Sequence, residues 1–221
     1  MNEVIAGVEI PDTALVREAT ELVRGATDDA LFNHCRRVYL WGSLLGRHAG
    51  LEVDPQLFYV ATMFHDLGVT KTYGRTEHFE IDGANAAWDF LLSNGFASVK
   101  AAKNVWQAIA LHTGPGAAEH ADPEIALLSA GIQTDTRGRD LDVLTSDEIH
   151  RVIAAHPDCA ASGHCSDTAH RRNIMAALML TTAIVATVGC SVLDSAGVAT
   201  TATLDGSNTS GVSEGLASRR L

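Results

Sequence analysis

Four predicted helices each carry an ionisable residue on the side that their apolar pattern assigns to the interior: His34, His65 with Asp66, His112 and Asp135. Unpaired charge inside a protein is costly, so a chain with this pattern must bring these groups together or bind something that compensates them. A bound cation is the simplest remedy. Each residue alone has a bland reading. His34 could be a core histidine bonded to a carbonyl, and His65-Asp66 a helix-terminal pair making a salt bridge.

The periodicity behind this placement is helical. Asp54-Pro55 starts a helix, because aspartate caps free amides and proline fits the first helical position. Its face runs Leu57, Phe58, Ala61 and Phe64, His65 follows four residues after Ala61, and Gly68 ends the segment. Upstream, a helix from Thr27 or Asp28 has the stripe Leu31, Cys35, Val38, Gly42, Leu45 and Ala49, which His34 flanks. An earlier short helix within 5–24 is expected to start from an Asp12 cap. Downstream, a helix from Gly83-Ala84 to Leu92 stops at Asn94-Gly95, and another spans Ser98 to His112 with Val99, Ala102, Val105, Trp106 and Ile109 inward. Asp122-Pro123 repeats the start signal for a helix striped by Ile125, Leu128 and Ile132. There Asp135 takes a place that the pattern gives to an apolar residue. Thr145 and Glu148 form a capping box opening a last helix through Ala155. The polar stretch 70–82 is expected to be a rim loop.

With 221 residues, 5% aromatics and abundant alanine and leucine, one all-α domain is the natural class. The net charge of −11 excludes a nucleic-acid surface built on clustered Lys and Arg. A small-molecule substrate is expected, and a homo-oligomer is compatible with the sequence. No signal peptide precedes the first apolar residues, so a cytoplasmic location is expected. Cys35 and Cys190 read as reduced core residues, and Cys159, His164, Cys165 and His170 as loop residues rather than a zinc site. Residues 1–157 are expected to form the domain. The uncharged run 174–190 lies in an apolar helical segment, 158–193, that packs as a last helix, with a membrane anchor or an appended foreign reading frame as alternatives. A disordered tail, 194–221, is expected to follow.

Histidine and carboxylate donors without thiolate suit one divalent transition metal, zinc first and Fe2+, Mn2+ or Ni2+ after it. The order His34, His65-Asp66, Asp135 on consecutive helices resembles the HD superfamily of metal-dependent hydrolases. Ile10-Pro11-Asp12, Asn33-His34, Phe64-His65-Asp66-Leu67-Gly68, Phe79-Glu80-Ile81-Asp82-Gly83-Ala84, Ile109-Ala110-Leu111-His112-Thr113 and Pro123-Glu124-Ile125 are similar to its cyanamide-hydratase-like branch. The resemblance covers about residues 5–157. It implies an HD-domain helical bundle with a mononuclear metal site held by His34, His65, Asp66 and Asp135. Phe79 stands where two-metal members place a further histidine, with His78 one residue away.

In the branch reading, hydroxide on the metal adds to a small nitrile such as cyanamide and gives the amide, urea. Asp66 takes part at the metal, Glu80, His112 or His78 transfers the proton, and Lys71, His78 and Thr113 orient the substrate. The wider superfamily implies phosphohydrolysis as the rival, with Lys71, Arg75 and Arg137 or Arg139 on the phosphate. A metal-stabilised domain without turnover is a third reading.

Overall fold

In a computed structural model the chain is described over residues 3–75, 78–114 and 122–157, and it is an all-α domain there. The expected apolar segment, the tail and the Cys159 to His170 group lie outside these residues. Among the described residues, no helix is long and apolar enough to cross a membrane.

Among the described residues, seven α-helices follow a small hairpin: β1 (Glu3–Ile5), β2 (Val8–Ile10), α1 (Ala14–Ala26), α2 (Asp29–Ala49), α3 (Pro55–Phe64), α4 (Phe79–Ser93), α5 (Val99–Leu111), α6 (Pro123–Arg137) and α7 (Ser146–Ala155). Their starts are chemically plain. Asp28 accepts from Leu31 N, Asp54 from Gln56 N and Leu57 N, and Ser98 from Ala101 N. Thr145 and Glu148 close the capping box in both directions. Each bond satisfies an amide that the first helical turn leaves without a partner.

Three expectations are corrected. The first helix is capped by Thr13, whose side chain accepts from Val16 N, because Asp12 pairs with Arg17 instead. Before it, β1 and β2 pair antiparallel through Ala6-Gly7, both with positive φ (52° and 77°), as a two-residue hairpin turn requires. Within the expected rim loop, α4 already begins at Phe79, which makes Glu80 and Asp82 buried first-turn residues. Of the two stripes, Ala49 and Val99 are exposed.

α2 is the central element and is buried on almost every side. It crosses α6 closely: a Cβ on Gly42 would lie 2.8 Å from Leu127 O, and one on Gly131 would lie 2.6 Å from Val38 O. Each helix thus gives up a side chain where the other's backbone passes. Gly131→Ala should cost about 1–3 kcal/mol, as overpacking at a rigid contact does, and urea denaturation measures it.

The C-terminal end of α7 is tied to α2 by buried polar groups. Arg36 donates to His156 Nε2 (3.2 Å), to the Tyr59 hydroxyl (2.7 Å) and to Glu3 (2.6 Å). Burial and then the Arg36 charge push His156 down to about 4, so it is neutral at pH 7. The unfolded chain binds this proton near pH 6.5, so stability falls as pH drops from there to about 4 and falls no further on this account. His156→Gln keeps an acceptor for Arg36 and removes the titration. Over that window wild type should lose about 3 kcal/mol more than the variant, measured by urea unfolding at stepped pH.

Candidate metal centre

Two glycines pin the turn that carries His65 and Asp66. α3 ends at Phe64, and Leu67–Val69 form a single 3-10 turn. A Cβ on Gly68 would lie 2.0 Å from Phe79 O, and one on Gly83 would lie 2.6 Å from Phe64 O. The turn after α3 and the first turn of α4 therefore sit backbone to backbone. Gly68 is needed for this close approach more than for ending α3.

His34 Nε2 lies 3.3 Å from His65 Nε2, and Asp66 Oδ2 lies 3.6 Å from the first and 3.3 Å from the second. All three residues are buried. The other ring nitrogens show what these atoms are. His65 Nδ1 is 2.7 Å from Thr62 O, which only accepts, so Nδ1 carries the hydrogen. His34 Nδ1 is 2.7 Å from Asp135 Oδ2, a carboxylate held ionised, so there too Nδ1 is the donor. Both Nε2 atoms then present lone pairs to each other and to a carboxylate oxygen. Three acceptors converge, and a cation must stand among them. The donor set fits a divalent ion.

The electrostatics show the same demand for positive charge. Burial alone would depress the His65 imidazole, but the Asp66 charge and hydrogen bond, with help from Cys35, raise it well above its usual value. Burial likewise pushes the Asp66 carboxyl up, yet His65, His34 and His112 outweigh it and hold the group far below the usual carboxylate range. Burial raises the Cys35 thiol, a free buried cysteine beside His65.

His112, at the end of α5, completes the inner wall. Its Nδ1 is 2.6 Å from Ile109 O and its Nε2 is 4.0 Å from Asp66 Oδ1, with edge contacts to the His65 and Phe79 rings. Burial, then His65, lower it to about 4, so it is a neutral acceptor at pH 7.

Asp135 stands behind His34, at Nδ1. It also accepts from Arg37 Nε (2.6 Å), Arg37 Nη2 (2.9 Å) and Trp41 Nε1 (2.9 Å). Burial pushes its carboxyl up, while His34 and Arg37 bring it far down. The sequence reading missed Arg37 and Trp41. Their signal was a charged and an aromatic residue three and seven positions after His34, on the same helical face.

Of the remaining candidates, Glu80 is buried with Oε2 lacking any hydrogen-bond partner among the described residues, and its Oε1 is 3.9 Å from His78 Nδ1. The side chain of His78 is exposed, as is Lys71, and Thr113 is half-buried. A buried carboxylate oxygen without a donor lowers stability, so Glu80→Gln should raise it by about 1 kcal/mol, read from the urea midpoint at constant m-value.

No curated protein matches the chain. The HD domain family model matches residues 31–150, more than half of its length, and this span runs from the turn before His34 to beyond Asp135. HD domains bind divalent metals and are mostly metal-dependent hydrolases, which agrees with a centre made of two imidazoles and a carboxylate. The chain belongs to the HD domain family.

Proposed function

We propose that this HD domain is a metal-dependent hydrolase or hydratase acting on a small uncharged substrate, with a nitrile such as cyanamide, hydrated to urea, as the first candidate. The observation that carries the reading is the set of three converging acceptors at His34 Nε2, His65 Nε2 and Asp66 Oδ2. These residues would hold the ion, with Asp135, the fourth member of the sequence pattern, bonded to His34 Nδ1. A divalent transition ion there, zinc first, supplies a Lewis acid that polarises the substrate and makes water more acidic.

The protein's own groups handle the proton. Hydration adds the oxygen of water to the nitrile carbon and both of its hydrogens to nitrogen once the amide has formed. A group must therefore take a proton from water and return it to nitrogen. His112 suits this exchange, being neutral at pH 7 and fixed with Nε2 toward Asp66. Glu80, which has a free acceptor oxygen, is the second candidate. Lys71, His78 and Thr113 are assigned to substrate orientation. Arg37, the arginine beside His34 and Asp135, is already engaged by Asp135 and so is not offered to a phosphate, which supports an uncharged substrate over a phosphate ester.

Elemental analysis of wild type and His65→Ala, purified without added metal, tests the centre. Near one equivalent is expected in wild type, with most of it lost in the variant. Urea release from cyanamide that disappears in His65→Ala and falls at least about 100-fold in His112→Ala, in line with general acid–base catalysis, supports the hydratase. Phosphate release from nucleotides instead would replace the substrate and keep the metal. Metal binding and a raised melting temperature without turnover in either assay would make the chain a binding domain.

A further inference from the structure

We infer that Arg37 is a positioning residue of the metal centre, acting through Asp135 and tying the centre to the end of α7. This rests on the metal reading given above. Asp135 offers about four lone-pair directions, and four donors fill them: Arg37 Nε and Trp41 Nε1 on Oδ1, Arg37 Nη2 and His34 Nδ1 on Oδ2. With its two oxygens so occupied, the carboxylate fixes the His34 ring as the Nδ1–H form and turns Nε2 inward. A paired guanidinium contact sets the carboxylate plane as well as its place.

Arg37 has a third arm. Its Nη1 donates to the carbonyls of His156 (3.1 Å) and Pro157 (3.2 Å), just past the end of α7. One buried side chain thereby joins α2, α6 and the segment after α7. The neighbouring Arg36 is the natural control. It is equally buried and binds His156 Nε2, Tyr59 and Glu3, with no bond to Asp135.

The test uses the full-length protein freed of metal and titrated with Co2+, reading affinity by competition with a chelator, the visible spectrum at saturation, and the melting temperature with and without the ion. Arg37→Ala should weaken Co2+ by about 10–100-fold, the usual effect of removing support behind a metal-binding histidine, and keep the saturated spectrum. The rise in melting temperature on adding Co2+ should shrink accordingly. Arg36→Ala should lower the melting temperature of both forms alike and leave the affinity unchanged. Arg37→Lys, which keeps the charge and loses the paired bonds, should fold and fall between wild type and Arg37→Ala. Unchanged affinity in both Arg37 variants, or an equal loss in Arg36→Ala, overturns the assignment. A changed saturated spectrum also overturns it, since the ligand set itself would then have altered. Wild type that takes up no Co2+ defeats the underlying metal reading instead, which separates the two failures.

Discussion

The centre depends on how closely α2 and α6 cross. Gly42 faces Leu127 O and Gly131 faces Val38 O, and one helical turn further along the two backbones stand His34 and Asp135. A side chain at either glycine would drive the helices apart, and a bond of 2.7 Å between His34 Nδ1 and Asp135 Oδ2 leaves no slack for that. The same device repeats at the other half of the site, where Gly68 and Gly83 let the His65-Asp66 turn lie against the start of α4. Backbone contact, made by residues with no chemistry of their own, therefore sets the distances between groups that have it.

Much of this was legible in the sequence, and the physical reason is that start signals and periodicity are local. Asp28, Asp54-Pro55, Ser98 and the Thr145–Glu148 box mark helix starts through bonds that span two or three residues, and Asp122-Pro123 marks one through the proline in the first helical turn, without a side-chain bond from Asp122. His34, His65 and Asp66 stood out as polar residues on apolar faces, and they do meet. What escaped was non-local or too short. The hairpin offers only three residues per strand, below what alternation can reveal. Polar residues before and within the first turn of α4 hid its start, because acids are favoured at helix N-termini and in loops alike. Arg37 could not be matched to Asp135, 98 residues away, from any local pattern.

The centre also shows why membership of the family points to the reaction class sooner than to the substrate. Two imidazoles and a carboxylate with lone pairs converging are a demand for a cation, and that demand follows from tautomers fixed by Thr62 O and Asp135. In the proposed function, substrate choice would rest on different groups, those at the rim and at the start of α4. Glu80, at the start of α4, combines burial with an oxygen that has no hydrogen-bond partner among the described residues, a costly state.

The adjacent arginines of α2 show how two buried charges on one helix can serve separate ends. Successive residues of a helix point about 100° apart, so Arg36 and Arg37 leave α2 in different directions. Arg36 reaches the hairpin through Glu3 and α3 through Tyr59, while Arg37 reaches α6 through Asp135. Both end at the same short stretch, His156-Pro157, one through a ring nitrogen and the other through carbonyls. Burying a guanidinium is unfavourable unless its donors are filled, and each arginine fills its donors across several elements. That requirement makes the closing of the domain around α2 and the orientation of His34 parts of one arrangement: displacing residues 156–157 strips partners from Arg37, and Arg37 holds the carboxylate on which His34 turns.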